Sequence, residues 1–256
     1  MTHLFRTYIG IDYSGAGKTT KRLPGLKVFK ASQKSEPAKI TPAAGQKLNW
    51  NRKEVAHWCL QELKSESPVI IGIDYAFSFP ISYMKRWHMD CWDDFLDDFH
   101  KYWPTDNDDA TVESLRVGNK RTGHPSELRI TDNWTSSAKS VFQFDIQGSV
   151  AKSSHSGIPW LRFLRHQSDL KNKLHFWPFD GFEIPPQKPV IAEMYPAIFK
   201  RRFNSPYEKD EHDAFCIAKW LQTMDAKGFL EKYFNPPLSV TEKRTAKLEG
   251  WILGVY

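Results

Sequence analysis

The sequence predicts an α/β fold in which a mixed β-sheet is flanked by helices. Three short apolar runs have the character of buried strands, at residues 6–13, 69–74 and 189–196. Longer segments with helical spacing lie between and after them, the last at residues 207–227. Strands that alternate with helices imply parallel pairing, whereas the strand-like residues 26–31 and 39–41 follow the first strand closely enough to form a meander with it.

Local signals mark the elements in the first half of the chain. Residues 6–13 are β-branched and aromatic and end at the glycine-containing turn of residues 14–17, as a strand does. Asn51, with Glu54 three positions later, has the pattern of a capping box and predicts that a helix begins there. Helical spacing in an aromatic and acidic stretch then predicts one long helix over residues 82–103.

The middle of the chain, at about residues 104–156, is polar and irregular, and we predict that it is an insertion in the fold. Its strand-like patches are residues 127–132 and 141–146. A segment of this length without clear elements is either a substrate-facing insertion or a mobile surface excursion. Because no repeat or break in composition divides the chain, residues 1–256 are predicted to form a single domain.

Regular patterns return in the last third of the chain. Residues 158–166 predict a helix that has Pro159 in its first turn, where a missing backbone N–H is tolerated. Residues 174–179 predict a short strand. The aromatic and apolar residues 249–256 predict an edge strand at the end of the chain.

Composition excludes several classes of protein. Hydrophobic residues make up 40% of the chain and aromatic residues 14%, which is enough for a large core and unlike a disordered chain. Cys59, Cys91 and Cys216 form no C-x-x-C pair, so neither a disulfide framework nor a zinc site is expected. The apolar runs are too short for a signal peptide or a membrane span, and we therefore expect a cytoplasmic protein.

The charge is mildly basic, with 36 basic and 30 acidic side chains and a formal net charge of +6. A basic excess of this size is compatible with a polyanionic partner but also with an ordinary solvated surface. About a third of the basic side chains fall in three clusters, at residues 18–30, 116–129 and 200–202.

Three of the predicted strands carry an acidic residue where the apolar run ends, namely Asp12, Asp74 and Glu193. A carboxylate is costly in a dry core unless it is paired or binds a metal. At the carboxyl end of a strand it can instead face the crevice in which open α/β sheets bind ligands. Three acids at equivalent positions therefore predict a functional cluster.

The last long helix adds two further acids, Asp210 and Asp213. They begin a stripe on one helix face that continues as Ala214, Ile217, Ala218 and Leu221. Since the apolar part of the stripe must face the core, we expect both aspartates to point toward the sheet. Carboxylates brought together repel one another, and Mg²⁺ or Mn²⁺ relieves that repulsion because these ions prefer oxygen ligands. Two such ions roughly 4 Å apart can support phosphodiester cleavage.

Taken together, these motifs resemble the domain of unknown function 429 family, a family of predicted nucleases with an RNase H-like fold. The matching segments, which span nearly the whole chain, are GIDYSGA (10–16), IGIDYAFSFP (71–80), AEMYPA (192–197), DEHDAFCIAKWL (210–221) and EGWI (249–252). The D-x-x-D pair followed by alanine also resembles the final-helix motif of RuvC-type Holliday-junction resolvases.

The resemblance implies an RNase H-like mixed sheet and a metal-dependent nuclease that hydrolyses phosphodiester bonds in DNA or RNA with two metal ions. It implies that Asp12 is the first-strand metal ligand, Asp74 the fourth-strand acid and Asp213 the final-helix ligand. Asp210, as a further metal ligand, and Glu193, as a further catalytic acid, become supporting residues. Mg²⁺ or Mn²⁺ is the implied cofactor.

Five basic side chains are candidates for contacts with substrate phosphates, namely Lys18, Arg129, Lys139, Lys152 and Arg162. Most of them lie in or just after the irregular middle region. For each of them, ordinary solvated surface is an equally good interpretation.

Two other functions are compatible with the sequence. Gly17-Lys18-Thr19 fits the end of a phosphate-binding loop, but Asp12 stands where its first glycine is needed and no helix is predicted after Thr19. A glycine-rich turn after the first strand is also used by actin-like phosphotransferases and ATPases, which bind nucleotides through backbone amides. The second alternative is a non-catalytic nucleic-acid-binding protein.

Overall fold

The computed structural model describes residues 3–43, 49–65, 67–146 and 148–256, and a six-stranded mixed sheet lies at their centre. In chain order the strands are β1 (Thr7–Asp12), β2 (Lys27–Ser32), β3 (Ser35–Ile40), β4 (Val69–Asp74), β5 (His175–Trp177) and β6 (Val190–Glu193). Across the sheet the order is β3-β2-β1-β4-β6-β5. The first three strands form an antiparallel meander, and β1, β4, β6 and β5 are parallel. The predicted α/β class with a mixed sheet is confirmed.

Helices cover both faces of this sheet. They are α1 (Arg52–Leu63), α2 (Ile81–Arg86), α3 (Trp92–Tyr102), α4 (Val112–Arg116), α5 (Ile130–Thr135), α6 (Ala151–Arg165), α7 (Lys209–Ala226), α8 (Leu230–Phe234) and α9 (Val240–Glu249), with short 3-10 helices at Ser168–Leu170, Pro196–Ile198 and Lys200–Arg202. Helices α1, α3 and α6 share one core cluster with one face of the sheet, and α7 shares the other cluster with the opposite face. Among the described helices, none has the length and apolar composition needed to cross a bilayer.

Helix α1 begins where the capping pattern predicts. The Asn51 side chain accepts a hydrogen bond from the Glu54 backbone N–H at 2.8 Å, and the Glu54 carboxylate accepts one from the Asn51 N–H at 3.4 Å. These bonds satisfy two backbone donors that the first turn of a helix leaves unpaired.

Two glycines allow α7 to lie directly against the sheet. Gly10 of β1 and Gly72 of β4 are register partners on adjacent strands. A β-carbon at Gly10 would lie 2.2 Å from the carbonyl oxygen of Ala214 and 2.6 Å from the backbone nitrogen of Ala218. The backbone of α7 therefore rests on the backbone of β1, and this contact brings the first turn of α7 to the carboxyl end of the strand.

The prediction of one helix over residues 82–103 is wrong, because the chain forms α2 and α3 with a turn between them. His88 has a left-handed backbone with a φ of 54°, which interrupts the helix. The Cys91 side chain then accepts a hydrogen bond from the Asp94 N–H, and Asp93 and Asp94 occupy the first turn of α3. Acidic side chains are favourable at that end of a helix, and a new helix begins there.

The strand-like patches in the middle region are not strands. The patch at 127–132 runs into helix α5, whose first turn is held by the Asp132 carboxylate accepting from the Arg129 N–H at 3.0 Å. Residues 141–146 form turns, and the side chains of Val141, Phe142 and Phe144 are buried in the core. Here the alternation of apolar residues reflects aromatic packing rather than strand pairing.

The helix predicted at 158–166 is longer, since α6 begins at Ala151, and Pro159 lies inside it rather than in its first turn. The first turns of α6, which the prediction did not include, are formed by residues 151–156 at the end of the predicted insertion.

The C-terminal edge strand predicted over 249–256 is also wrong. Residues up to Glu249 belong to α9, and Gly250 turns the chain with a φ of 79°. Because β6 is already paired on both sides, by β4 and β5, the terminal segment cannot join the sheet there. Its apolar side chains pack instead into the cluster around α7, and Leu253 N–H donates to the Glu193 carbonyl oxygen at 2.9 Å.

Candidate functional site

Asp12 and Asp74 lie side by side at the carboxyl ends of adjacent parallel strands. They are register partners, as Gly10 and Gly72 are two residues earlier. Side chains alternate between the two faces of a strand, so both aspartates project from the face that α7 covers. The structure thus brings together these two predicted site residues.

Helix α7 contributes the next two acids. Asp213 is half-buried beside the strand ends, directly before Ala214, which packs on β1. Asp210, one turn earlier, is exposed at the rim of a cleft, where a β-carbon on Gly25 would lie 3.1 Å from its Oδ2 atom. The inward direction predicted for both acids therefore holds for Asp213, while Asp210 faces the cleft opening.

The electrostatics of these residues are those of like charges held together away from water. Burial, and then the charges of Asp74, Asp210 and Asp213, hold the pKa of Asp12 well above its ordinary value. Burial, followed by the charges of Asp213 and Glu193, raises the pKa of Asp74 to about 8, against an opposing hydrogen bond with Asp12. Each carboxyl is thus stabilised when it is protonated, or when a nearby cation neutralises its negative charge.

One cation is already present, because the Lys200 ammonium lies 2.8 Å from the Oδ2 atom of Asp213. It also counteracts the raised pKa values of Asp12 and Asp74, so its charge reaches all three carboxyls. Sequence reasoning did not place Lys200 in the site. The only signal for it was the basic run at residues 200–202.

The raised pKa of Asp74 predicts that the metal-free protein loses stability as the pH rises. This carboxyl titrates at about 8 in the fold, against its ordinary value of 3.8 when unfolded. Between pH 3.8 and about pH 8 the folded protein keeps a proton on Asp74 that the unfolded chain has lost. The contribution of this proton to the free energy of unfolding is therefore complete below pH 3.8 and is lost as the pH rises toward about 8. We expect the melting temperature in EDTA to fall between about pH 5 and pH 8, by about 2–4 °C for each kcal/mol lost.

Asp74→Asn is the matched variant for this measurement, because it keeps the shape of the side chain without its titration. The melting temperature of Asp74→Asn should depend less steeply on pH than that of the wild-type protein. If the melting temperatures of the two proteins fell equally steeply with pH, Asp74 would not be the source of the pH dependence.

Glu193 belongs to a different arrangement from the one predicted. It pairs in register with Ile73, one residue short of Asp74, so its side chain projects from the opposite face of the sheet. Both of its carboxylate oxygens accept hydrogen bonds from the Arg129 guanidinium, at 2.6 and 2.7 Å. Its contacts are those of a buried ion pair, and they do not fit the predicted role as a catalytic acid.

Arg129 likewise does not fit the predicted role in phosphate binding. Its side chain is 2% exposed and also pairs with the equally buried Asp132 at 2.9 Å. A guanidinium held between two carboxylates has its donors already used. Arg129 instead ties the middle region, through α5, to the end of β6.

The other predicted phosphate contacts divide into two groups. Lys139 and Lys152 line the cleft, and Lys152 also pairs with the exposed Glu113 at 2.6 Å. Lys18 pairs with Asp109 at 2.7 Å on the surface. Arg162 lies ten residues beyond Lys152 on α6, about 15 Å along the helix axis, and it pairs there with an acid of α3. Arg162 is therefore not part of the cleft wall.

The cleft itself has a volume of about 550 Å³ and two chemically different walls. One wall carries the acids at the strand ends. The other is formed by residues 137–139, by Ser149 just before α6, and by Lys152 and Ser153 in the first turn of that helix. The middle region thus supplies one side of the cleft, and its role as a substrate-facing insertion stays a prediction.

A buried arginine that sequence reasoning missed holds the floor of this cleft. Arg52, fully buried in the first turn of α1, donates to the carbonyl oxygens of Ala16 and Gly17 at 2.9 and 2.7 Å. These carbonyls belong to the turn after β1, and the hydrogen bonds from Arg52 fix that turn in place. In the sequence Arg52 looks like any polar residue at the start of a helix.

The phosphate-loop interpretation fails on local structure. It requires a helix directly after Thr19, whereas the chain turns at residues 17–21 and then enters β2 at Lys27. The actin-like alternative does not need that helix and stays a prediction.

The acids match a divalent metal in kind more than in spacing. Carboxylates are the ligands that Mg²⁺ and Mn²⁺ prefer. In the described part of the chain, however, no group of three or more His, Cys, Asp or Glu side chains is arranged as a metal site.

Comparisons with protein-family models, with curated proteins and with solved structures found no match to this chain. The class that fold and site define is an α/β protein with a six-stranded mixed sheet and an acidic cleft at its parallel strand ends. The resemblance to the domain of unknown function 429 family, and with it the RNase H-like fold, stays a prediction.

Proposed function

We propose that the chain is a Mg²⁺- or Mn²⁺-dependent hydrolase of phosphodiester bonds in nucleic acid, with an RNase H-like fold. The observation that carries the proposal is the convergence of acids from β1, β4 and α7 at the carboxyl ends of these strands, where burial, and then the charges of neighbouring carboxylates, raise the pKa values of Asp12 and Asp74. Such repulsion lowers the stability of the fold, and a bound cation would relieve it, which is why acids held together in this way are typical of functional sites.

In this proposal Asp12, Asp74 and Asp213 hold the metal, and Asp210 supports them from the rim. Bound divalent cations supply charge neutralisation and Lewis acidity to such a site. Lys139 and Lys152 on the opposite wall carry positive charge beside the path of the substrate backbone, where they would orient its phosphates. Hydrolysis adds water across one P–O ester bond and leaves a phosphate monoester and a free hydroxyl group.

The proposal is tested first by metal binding, because a ligand that binds only the folded state raises its stability. At a Mn²⁺ concentration of about 100 times the Kd, the expected gain is about 2.7 kcal/mol. We expect the melting temperature of the wild-type protein to rise with Mn²⁺, and that of Asp213→Asn to rise much less.

Asp169→Asn is the matched control, since Asp169 is an exposed acid that pairs with Lys64 rather than with the acids of the cleft. It should respond to Mn²⁺ as the wild-type protein does. A wild-type melting temperature that ignores Mn²⁺, or an equal rise in Asp213→Asn, would count against a metal site at these acids.

A further inference from the structure

The side chain of Lys200 is built into the acidic site as a cation. It reaches from the 3-10 helix Lys200–Arg202 to the first turns of α7, where its ammonium lies 2.8 Å from the Oδ2 atom of Asp213. Asp213 is 19% exposed and Lys200 38% exposed, so the pair is partly open to solvent. The ammonium thus contacts an acid of the site and is still partly exposed to solvent.

Its charge acts on the whole group of acids rather than on one partner. The carboxyls of Asp12, Asp74 and Asp213 all interact electrostatically with Lys200. Asp210 is the remaining acid that acts on Asp12. A single ammonium therefore offsets part of the negative charge that a divalent cation would neutralise in the proposed site.

An ammonium and a divalent cation cannot both occupy this place. A Mg²⁺ ligand oxygen lies at about 2.0–2.1 Å from the metal, which would bring the metal and the Lys200 nitrogen within a few ångströms if the ion pair persisted. Two positive charges that close together repel each other strongly where water screens them only in part. Lysine has a long flexible stem, so the ammonium can leave toward solvent without a change in the backbone.

We propose that Lys200 is an internal counter-cation that holds Asp213 in the metal-free protein and is displaced when a divalent metal binds. This inference rests on the proposed function, since it assumes that these acids take a metal. It assigns Lys200 two effects: it stabilises the metal-free fold, and it sets how much metal is needed to fill the site.

The test compares Lys200→Met with Arg201→Met, using Mn²⁺ alone as the probe. Both variants remove one positive charge from the same 3-10 helix, but Arg201 is exposed and Lys200 contacts the acid. We expect the Mn²⁺ Kd, measured by calorimetry, to fall on the order of tenfold in Lys200→Met and less than about twofold in Arg201→Met, because distant exposed charges are screened. Without metal, Lys200→Met should also melt at a lower temperature than Arg201→Met.

Lys200→Arg gives a second measurement, because arginine keeps the charge and binds carboxylates with a planar fork. Its Mn²⁺ Kd should not fall. If wild type, Lys200→Met and Arg201→Met bind Mn²⁺ equally, the proposed function survives and the role of Lys200 is overturned. If neither the wild type nor Lys200→Met binds Mn²⁺, the proposed function fails and this inference fails with it.

Discussion

Asp12→Asn should lower the rate of nucleic-acid cleavage in the presence of Mn²⁺ by at least about 100-fold. Loss of groups that only support metal ligands already costs about 10–100-fold, and Asp12 would be a ligand itself. The change keeps the size of the side chain and removes its charge from the centre of the acids. Cleavage is measured on single-stranded, duplex and branched DNA and RNA, so that the outcome does not depend on one choice of substrate.

Stability separates this result from simple loss of the fold. Because Asp12 is held against the repulsion of its neighbours, Asp12→Asn should melt at the same temperature as the metal-free wild type or higher. The control for cleavage is again Asp169→Asn, which should cleave at the wild-type rate. If Asp12→Asn retained most of the wild-type rate, hydrolysis at these acids would be excluded.

Arg129→Met should destabilise the protein by about 3–5 kcal/mol. Removing one member of a buried ion pair leaves charge uncompensated in the interior, and here two carboxylates, those of Asp132 and Glu193, would lose their partner. The free energy of unfolding is measured by urea denaturation. Methionine fills much of the volume of the arginine stem, so the loss reports mainly on charge and hydrogen bonding.

Arg162→Met is the comparison for this variant, because its side chain is 30% exposed and pairs with Asp97 on the surface. Exposed ion pairs of this kind contribute about 0–1 kcal/mol to the free energy of unfolding, so Arg162→Met should lose no more than that. Adding Asp132→Asn and Glu193→Gln to Arg129→Met should restore part of the loss, since the stranded charges are then gone. Equal losses in Arg129→Met and Arg162→Met would show that the buried group is not the source of stability described here.

The parts of the site that could be predicted are those set by local sequence. An acid at the end of an apolar run identifies Asp12 and Asp74, and helical spacing identifies the face on which Asp213 lies. Parallel pairing then brings their strand ends together. The acids are found from local sequence alone, and the pairing follows from the general rule that strands joined through a helix run parallel.

The parts that could not be predicted depend on register or on partners far away in the chain. Glu193 looks equivalent to Asp74 in sequence, but a one-residue offset in the pairing turns it to the other face of the sheet. Lys200 and Arg52 act through residues that only the folded chain brings near them. The break at His88 is a backbone conformation that helical spacing does not reveal.

The contact between α7 and the two strand glycines has a consequence for how this chain can vary. A methyl group at Gly72 would meet Met194 at 2.5 Å and Ile217 at 2.7 Å, and one at Gly10 would meet helix backbone. A β-carbon at Gly10 would press on the backbone of the helix that carries Asp213, whereas one at Gly72 would first displace the side chains of Met194 and Ile217. The same close contact therefore sets both the packing of the core and the position of Asp213 relative to the strand ends, so a substitution at Gly10 would disturb the two together.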